Sequence, residues 1–164
     1  MNQSKRKEGL CVSECGQEQE LFFSFTQAFV ASVLIPFQSA FRKRLSHMQL
    51  RVMLALCDKG PSTMTELADA LAVPRQQATQ IVDRLHEMGM VERVREESDR
   101  RVVRIRWSAE GHRYFDPICA RFYEDMSARV RTLPPGEAQA FLQAVRTLAE
   151  LLPRMGAGGE DAAQ

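Results

Sequence analysis

Catalytic raw material is scarce in this chain. Only three histidines occur, and no His, Cys, Asp or Glu cluster stands at catalytic or zinc-ligand spacing. There is no P-loop, no dinucleotide-binding glycine pattern and no hydrolase elbow. These absences argue against an enzyme, a metal centre and a bound cofactor. Uninterrupted apolar runs of about 18 residues are missing too, so no membrane span is expected. Lys5, Arg6 and Lys7 lie near the start, but no apolar signal-peptide stretch follows them. A cytoplasmic protein is the expectation, with its four cysteines held as thiols. Net charge is only +1, which gives no bulk attraction to nucleic acid.

What is present is a helical pattern with one charged hairpin. A chain of 164 residues, 45% of them apolar, can bury a core as one domain with helical extensions. Residues 63–71 carry apolar side chains at Met64, Leu67, Ala68 and Leu71. Residues 74–88 carry them at Ala78, Ile81, Val82, Leu85 and Met88. Both sets follow the i, i+3, i+4, i+7 spacing of an amphipathic helix. Ala72 and Val73 leave room for only a tight turn, and Gly89 closes the second helix where a positive φ is wanted. This is a helix-turn-helix, the motif that lays its second helix in a DNA major groove.

Residues 91–96 and 101–107 read as two strands joined by the polar Ser98-Asp99-Arg100. Val103, Ile105 and Trp107 alternate to one face, with Val102, Arg104 and Arg106 on the other. A helix-turn-helix followed at once by such a ribbon is a winged helix. From Arg75 to Arg106 there are eight arginines and no lysine. Arg93, Arg95, Arg100, Arg101, Arg104 and Arg106 lie on or beside the hairpin, interleaved with Glu92, Glu96, Glu97 and Asp99. Such a ribbon is either salt-bridged and solvated or a basic tip for DNA.

The outer segments are also helical in pattern. One helix spans about residues 18–44, with Leu21, Phe22, Phe25, Ala28, Phe29 and Val33 as its apolar stripe and a kink expected at Pro36. Ser46 with Gln49, and Thr63 with Glu66, fit capping boxes. Ser108 suits the N-cap of a helix bearing Tyr114, Phe115, Ile118, Phe122, Met126 and Val130, with a kink expected at Pro117. Pro134, Pro135 and Gly136 mark a turn before a last helix, which carries Phe141, Leu142, Val145, Leu148, Leu151 and Leu152 and ends near Leu152. The expected fold is mainly α with a small β-hairpin.

The order and spacing of Glu66-Leu67-Ala68, residues 79–85 (TQIVDRL), residues 89–93 (GMVER), Asp99-Arg100-Arg101 and Ser108-Ala109-Glu110-Gly111 resemble the MarR family of bacterial winged-helix regulators. The likeness covers roughly residues 46–115. Trp107 departs from it, standing where the family usually has leucine. The resemblance implies a homodimer on double-stranded DNA. Residues 46–108 would be the winged helix-turn-helix DNA-binding domain. Residues 18–45 and 109–153 would form the helical dimerisation region, between a flexible arm (1–17) and a flexible tail (154–164).

On the second helix, Arg75, Gln76, Gln77, Thr79, Gln80 and Arg84 face away from the core. Gln pairs bidentately with adenine and Arg with guanine, while Thr79 suits a thymine methyl or a phosphate. Ser62 and Thr63, at a helix N-terminus, are candidate phosphate donors, and Arg100 is a phosphate contact. By resemblance Arg101 reaches the minor groove and Asp99 braces the wing. Relatives of this family also bind small aromatic acids, for which Phe22, Phe25, Phe29, His47, Met48 and Arg51 are candidate cleft residues. Other relatives sense oxidants through a cysteine near the first helix, a role open to Cys15 with Cys11 as resolving thiol. Glu14, Glu18 and Glu20 disfavour a thiolate there. A winged helix used only for protein contacts is the remaining alternative, against which the Arg- and Gln-rich face speaks.

Overall fold

The computed structural model describes residues 16–96, 99 and 101–157. The chain divides into two compact units, one ending at Tyr114 and one beginning at Phe115.

In the first unit, α1 (Gln17–Phe29) runs through a π-helical turn (Val30–Leu34) into α2 (Ile35–Phe41). The irregularity therefore precedes Pro36 rather than falling on it. A proline ring clashes with the carbonyl four residues back. Widening the preceding turn relieves this: the N–H of Ile35 donates to the carbonyl of Val30, five residues back. Gln17–Phe41 is also long and apolar enough, by length and composition, to cross a membrane. Gln, Ser and Thr interrupt this stretch, so it contains no continuous apolar run of that length.

Next comes α3 (His47–Lys59), then α4 (Met64–Leu71) and α5 (Arg75–Glu87). Both anticipated capping boxes close. Ser46 Oγ accepts from the Gln49 N–H at 3.3 Å, and Gln49 Oε1 accepts from the Ser46 N–H at 2.8 Å. Thr63 and Glu66 do the same for α4. Ala72 ends α4 in the left-handed region (φ 53°), an unusual place for a residue with a Cβ. Gly89 takes the same region (φ 73°), and the Met90 N–H reaches back to the Leu85 carbonyl.

The wing is β2 (Val91–Arg95) and β3 (Val103–Trp107), antiparallel, with Arg93 opposite Ile105. A third strand was not anticipated: β1 (Ser62–Thr63) pairs with the other edge of β3, giving the order β1-β3-β2. Of the expected alternation, Ile105 is buried and Trp107 half-buried, whereas Val103, out on the wing, is exposed. Leu50, Val52, Met53 and Leu56 of α3, Leu67 and Leu71 of α4, Val82 and Leu85 of α5, and Val91 and Ile105 of the sheet form the core. Trp107 fits by donating its indole N–H to the Met53 carbonyl (3.0 Å) and packing on His112.

Helix α6 (Ala109–Arg131) begins in this unit and continues into the second one through Pro117. Ser108 caps it as expected, accepting from the Gly111 N–H at 2.9 Å. The second unit holds the rest of α6 and α7 (Pro135–Ala157). Pro135 opens α7, but Pro153 does not end it, so the helix outruns the expected stop at Leu152 and takes in residues assigned to the tail.

Gly111 lies against the backbone of Met90, where a Cβ would overlap the carbonyl oxygen. Gly111→Ala is therefore expected to destabilise the protein by about 1–3 kcal/mol through overpacking. Urea unfolding followed by circular dichroism measures this, and an unchanged midpoint would contradict it.

Candidate nucleic-acid interface

Helix α5 is set by its buried side. Ala78, Val82 and Leu85 are fully buried, which turns Arg75, Gln76, Gln77, Gln80 and Arg84 outward into solvent. Pro74 precedes the helix and offers no side-chain cap, so no side chain of the described residues accepts from its first-turn N–H groups. The exposed end thus combines amide donors, the positive pole of the helix and two arginines. This is a surface for phosphate and base edges. Thr79 is more committed than expected: its hydroxyl donates to the Arg75 carbonyl (2.9 Å), leaving the methyl group as its outward chemistry.

Ser62 does not suit the phosphate role expected of it. Only 3% of it is exposed, and its hydroxyl donates to the Gly60 carbonyl at 3.0 Å. The reason is β1, whose pairing with β3 turns Ser62 inward. Thr63 spends its oxygen on the cap of α4. In return the Thr63 backbone N–H, and then its hydroxyl, hold the Glu66 carboxyl below the usual carboxylate range, helped by the charges of Arg104 and Lys59. A carboxyl depressed in this way stabilises the fold above its ordinary range and loses that effect as pH falls through the lowered value.

The wing arginines fall into two sets. Arg93 pairs with Asp83 of α5, Arg106 with Glu92 at 2.6 Å, and Arg104 with both Glu96 (3.0 Å) and Glu66 (3.5 Å). The salt-bridged reading of the ribbon holds for these three. Arg95 and Arg101 are exposed and have no carboxylate among the described residues, as do Arg75 and Arg84 on α5. Arg95 was not singled out from sequence, because nothing local distinguishes it from Arg93. Asp99 accepts from the Arg101 backbone N–H at 2.9 Å, and the Val102 N–H donates to the Asp99 carbonyl. Arg100 lies outside the described residues, as do Cys11 and Cys15.

The six residues expected to line a ligand cleft are not brought together. No side chain of α1 is buried, and Phe25 stacks on Phe29 in the open. Arg51 donates to the sulfur of Met48. A groove of about 590 Å³ exists between α2 and the start of α3, but of the six it takes only His47. Its other walls are Ile35, Gln38, Ser39, Arg42, Leu45, Ser46 and Leu50.

Known proteins agree with this geometry. The MarR family model matches residues 45–102. The transcriptional repressor NicR of Pseudomonas putida is 32% identical over 113 residues, which is 68% of this chain and 70% of NicR. The chain belongs to the MarR family. It is a DNA-binding transcriptional regulator of winged-helix fold. Two solved structures share that fold. One is a MarR family protein from Bacillus stearothermophilus, with TM-score 0.70 and 21% identity, covering 85% of this chain and 99% of its own. The other is NadR in complex with 4-hydroxyphenylacetate, with TM-score 0.55 and 21% identity, covering 85% and 97%.

Thr63→Ala removes the hydroxyl that caps α4 and is expected to cost about 1 kcal/mol. The same urea titration reads it, and a loss below a few tenths would show that Glu66 alone secures the helix start.

Proposed function

We propose that this regulator is a homodimeric repressor which binds a palindromic operator and leaves it when a small aromatic or amphipathic ligand binds. The dimer reading is carried by α1, a helix with four Phe and one Leu and no buried side chain. Leu21 is 68% exposed and Phe22 61%, while Leu142, Leu152 and Met155 of α7 are each more than half exposed. Apolar surface on this scale calls for a partner. In this reading residues 18–45 and 109–153 supply the dimer contacts, and residues 46–108 supply the DNA contacts. Two recognition helices then meet successive major grooves about 34 Å apart. Light scattering tests the dimer directly: a monomer at micromolar concentration would remove it.

Gln76, Gln77 and Gln80 read bases, Arg101 reaches the minor groove, and the free arginines Arg75, Arg84 and Arg95 hold the backbone. These four arginines per protomer give eight in a dimer, and a log affinity–log salt slope of roughly −7 if each neutralises one phosphate charge. Arg101→Ala is expected to weaken specific binding by about 1–3 kcal/mol with little change in stability. Footprinting and gel-shift titrations on an inverted repeat in the DNA upstream of the protein's own gene measure both quantities. Unchanged affinity at moderate salt would place the wing off the DNA.

Ligand release is supported by the groove beside His47, where Ile35, Leu45 and Leu50 stand beside the hydrogen-bonding groups of Gln38, Arg42 and His47. The aromatic acid in NadR adds support. The competing reading is a thiol switch at Cys11 and Cys15. Peroxide release of wild type, absent in a Cys11→Ser, Cys15→Ser double variant, would decide for the thiols.

A further inference from the structure

We infer that Arg104 is a positioning residue for DNA binding: it straps the wing to the first helix of the helix-turn-helix and so sets where Arg95 and Arg101 reach. This rests on the DNA reading and adds a residue outside the set of direct contacts.

Arg104 sits in the central strand, opposite Thr63 of β1 and Val94 of β2. Its planar guanidinium serves three acceptors that come from three different places. Nε donates to Glu96 Oε2 at 3.0 Å, Nη1 donates to the Pro61 carbonyl at 3.4 Å, and Nη1 also meets Glu66 Oε2 at 3.5 Å. That Glu66 oxygen is the one that accepts from the Thr63 N–H at the start of α4. One side chain thus joins the end of β2, the loop before β1 and the capping box of α4. Two of its three partners lie 38 and 43 residues away, so it restrains tertiary placement rather than local conformation.

Its place along the hairpin matters. Arg93 ties the base of the wing to α5 through Asp83. Arg104 is the strap further out. Beyond it, among the described residues, the ribbon is closed by the Glu96 N–H to Val102 carbonyl bond and the Asp99 turn. Val103 is exposed, and Arg95 and Arg101 project from this outer part. Loosening Arg104 therefore releases the segment that carries the free arginines. A lysine would not replace it, since a point charge lacks the fork that serves acceptors on separate sides.

The test uses a reversal of sign. Glu66→Gln keeps the capping box, because glutamine serves that position as well as glutamate does. It removes a negative charge close to the DNA-binding face, which by charge alone strengthens binding to DNA. If Glu66 anchors Arg104, the same substitution weakens specific binding instead. With two straps per dimer the expected loss is roughly three- to tenfold, the scale of a few exposed ion pairs. Arg104→Gln is expected to match that loss, and the Glu66→Gln, Arg104→Gln double variant to lose little more than either alone, because both break the same strap. Hydrogen exchange of the Glu96 and Val102 amides gives a second readout, independent of DNA, and should quicken in both variants.

Three results would overturn the inference. One is unchanged or tighter DNA binding by Glu66→Gln. Another is a loss in Arg104→Gln that adds in full to that of Glu66→Gln, which would make Arg104 act on DNA independently of Glu66. The last is unchanged exchange at the wing in both variants. Failure of the wild-type protein to bind any DNA specifically is a separate outcome, and it would remove the DNA reading itself.

Discussion

The seam where α5 is buried against α3 and α4 is the constraint on which the rest depends. Ala78, Val82 and Leu85 have no measurable exposure, and they sit on one stripe of a 13-residue helix. Once that stripe is sealed, the orientation of every other side chain on the helix follows from its 3.6-residue turn. The glutamines and Arg84 point outward as a geometric consequence of the core. A polar group introduced at Val82 would leave the fold with an unpaired buried group. The same change would rotate or loosen the surface that meets DNA. Stability and recognition therefore share one set of residues.

The charge pattern of the wing divides along a similar line. Near-neutral composition conceals a surface on which the carboxylates are not spread evenly among the cations. Glu92, Glu96, Glu66 and Asp83 each engage an arginine that has a structural place, and among the described residues of α5 and the wing Arg75, Arg84, Arg95 and Arg101 are left over. Each pair is partly exposed, so each contributes little to stability by itself. Their effect lies in direction: they decide which guanidinium groups remain available. A net charge of +1 is thus compatible with a strongly cationic edge.

Local chemistry was legible in the sequence wherever both partners lie within a few residues. The capping boxes at Ser46 and Thr63, the turn at Gly89 and the cap at Ser108 each need only a short stretch of chain, and each is where it was expected. The helix-turn-helix was legible because two amphipathic periods meet across two residues. What escaped depends on distant partners. A two-residue strand such as β1 has no pattern of its own, and its pairing with β3 is what buries Ser62. Arg93, Arg95 and Arg104 look alike until the acceptors arrive from elsewhere in the chain. The aromatic stripe of α1 read equally well as core, cleft or interface, and the first unit leaves it uncovered. The kink expected at Pro36 takes the form of a widened turn just before it, and α7 runs through Pro153 past its expected end near Leu152.

Trp107 is the only tryptophan in the chain. Its indole N–H is fixed to the Met53 carbonyl, and its ring rests on His112, so it spans the joint between β3, α3 and the start of α6. The protein therefore carries a single indole, excitable apart from Tyr114 and Tyr123 at long wavelength, where β3, α3 and α6 meet. Any event that shifts β3 against α3 changes the polarity and quenching around one indole, with no competing emission from another. Binding of operator or effector that shifts this joint can be followed optically in the unlabelled protein, in real time.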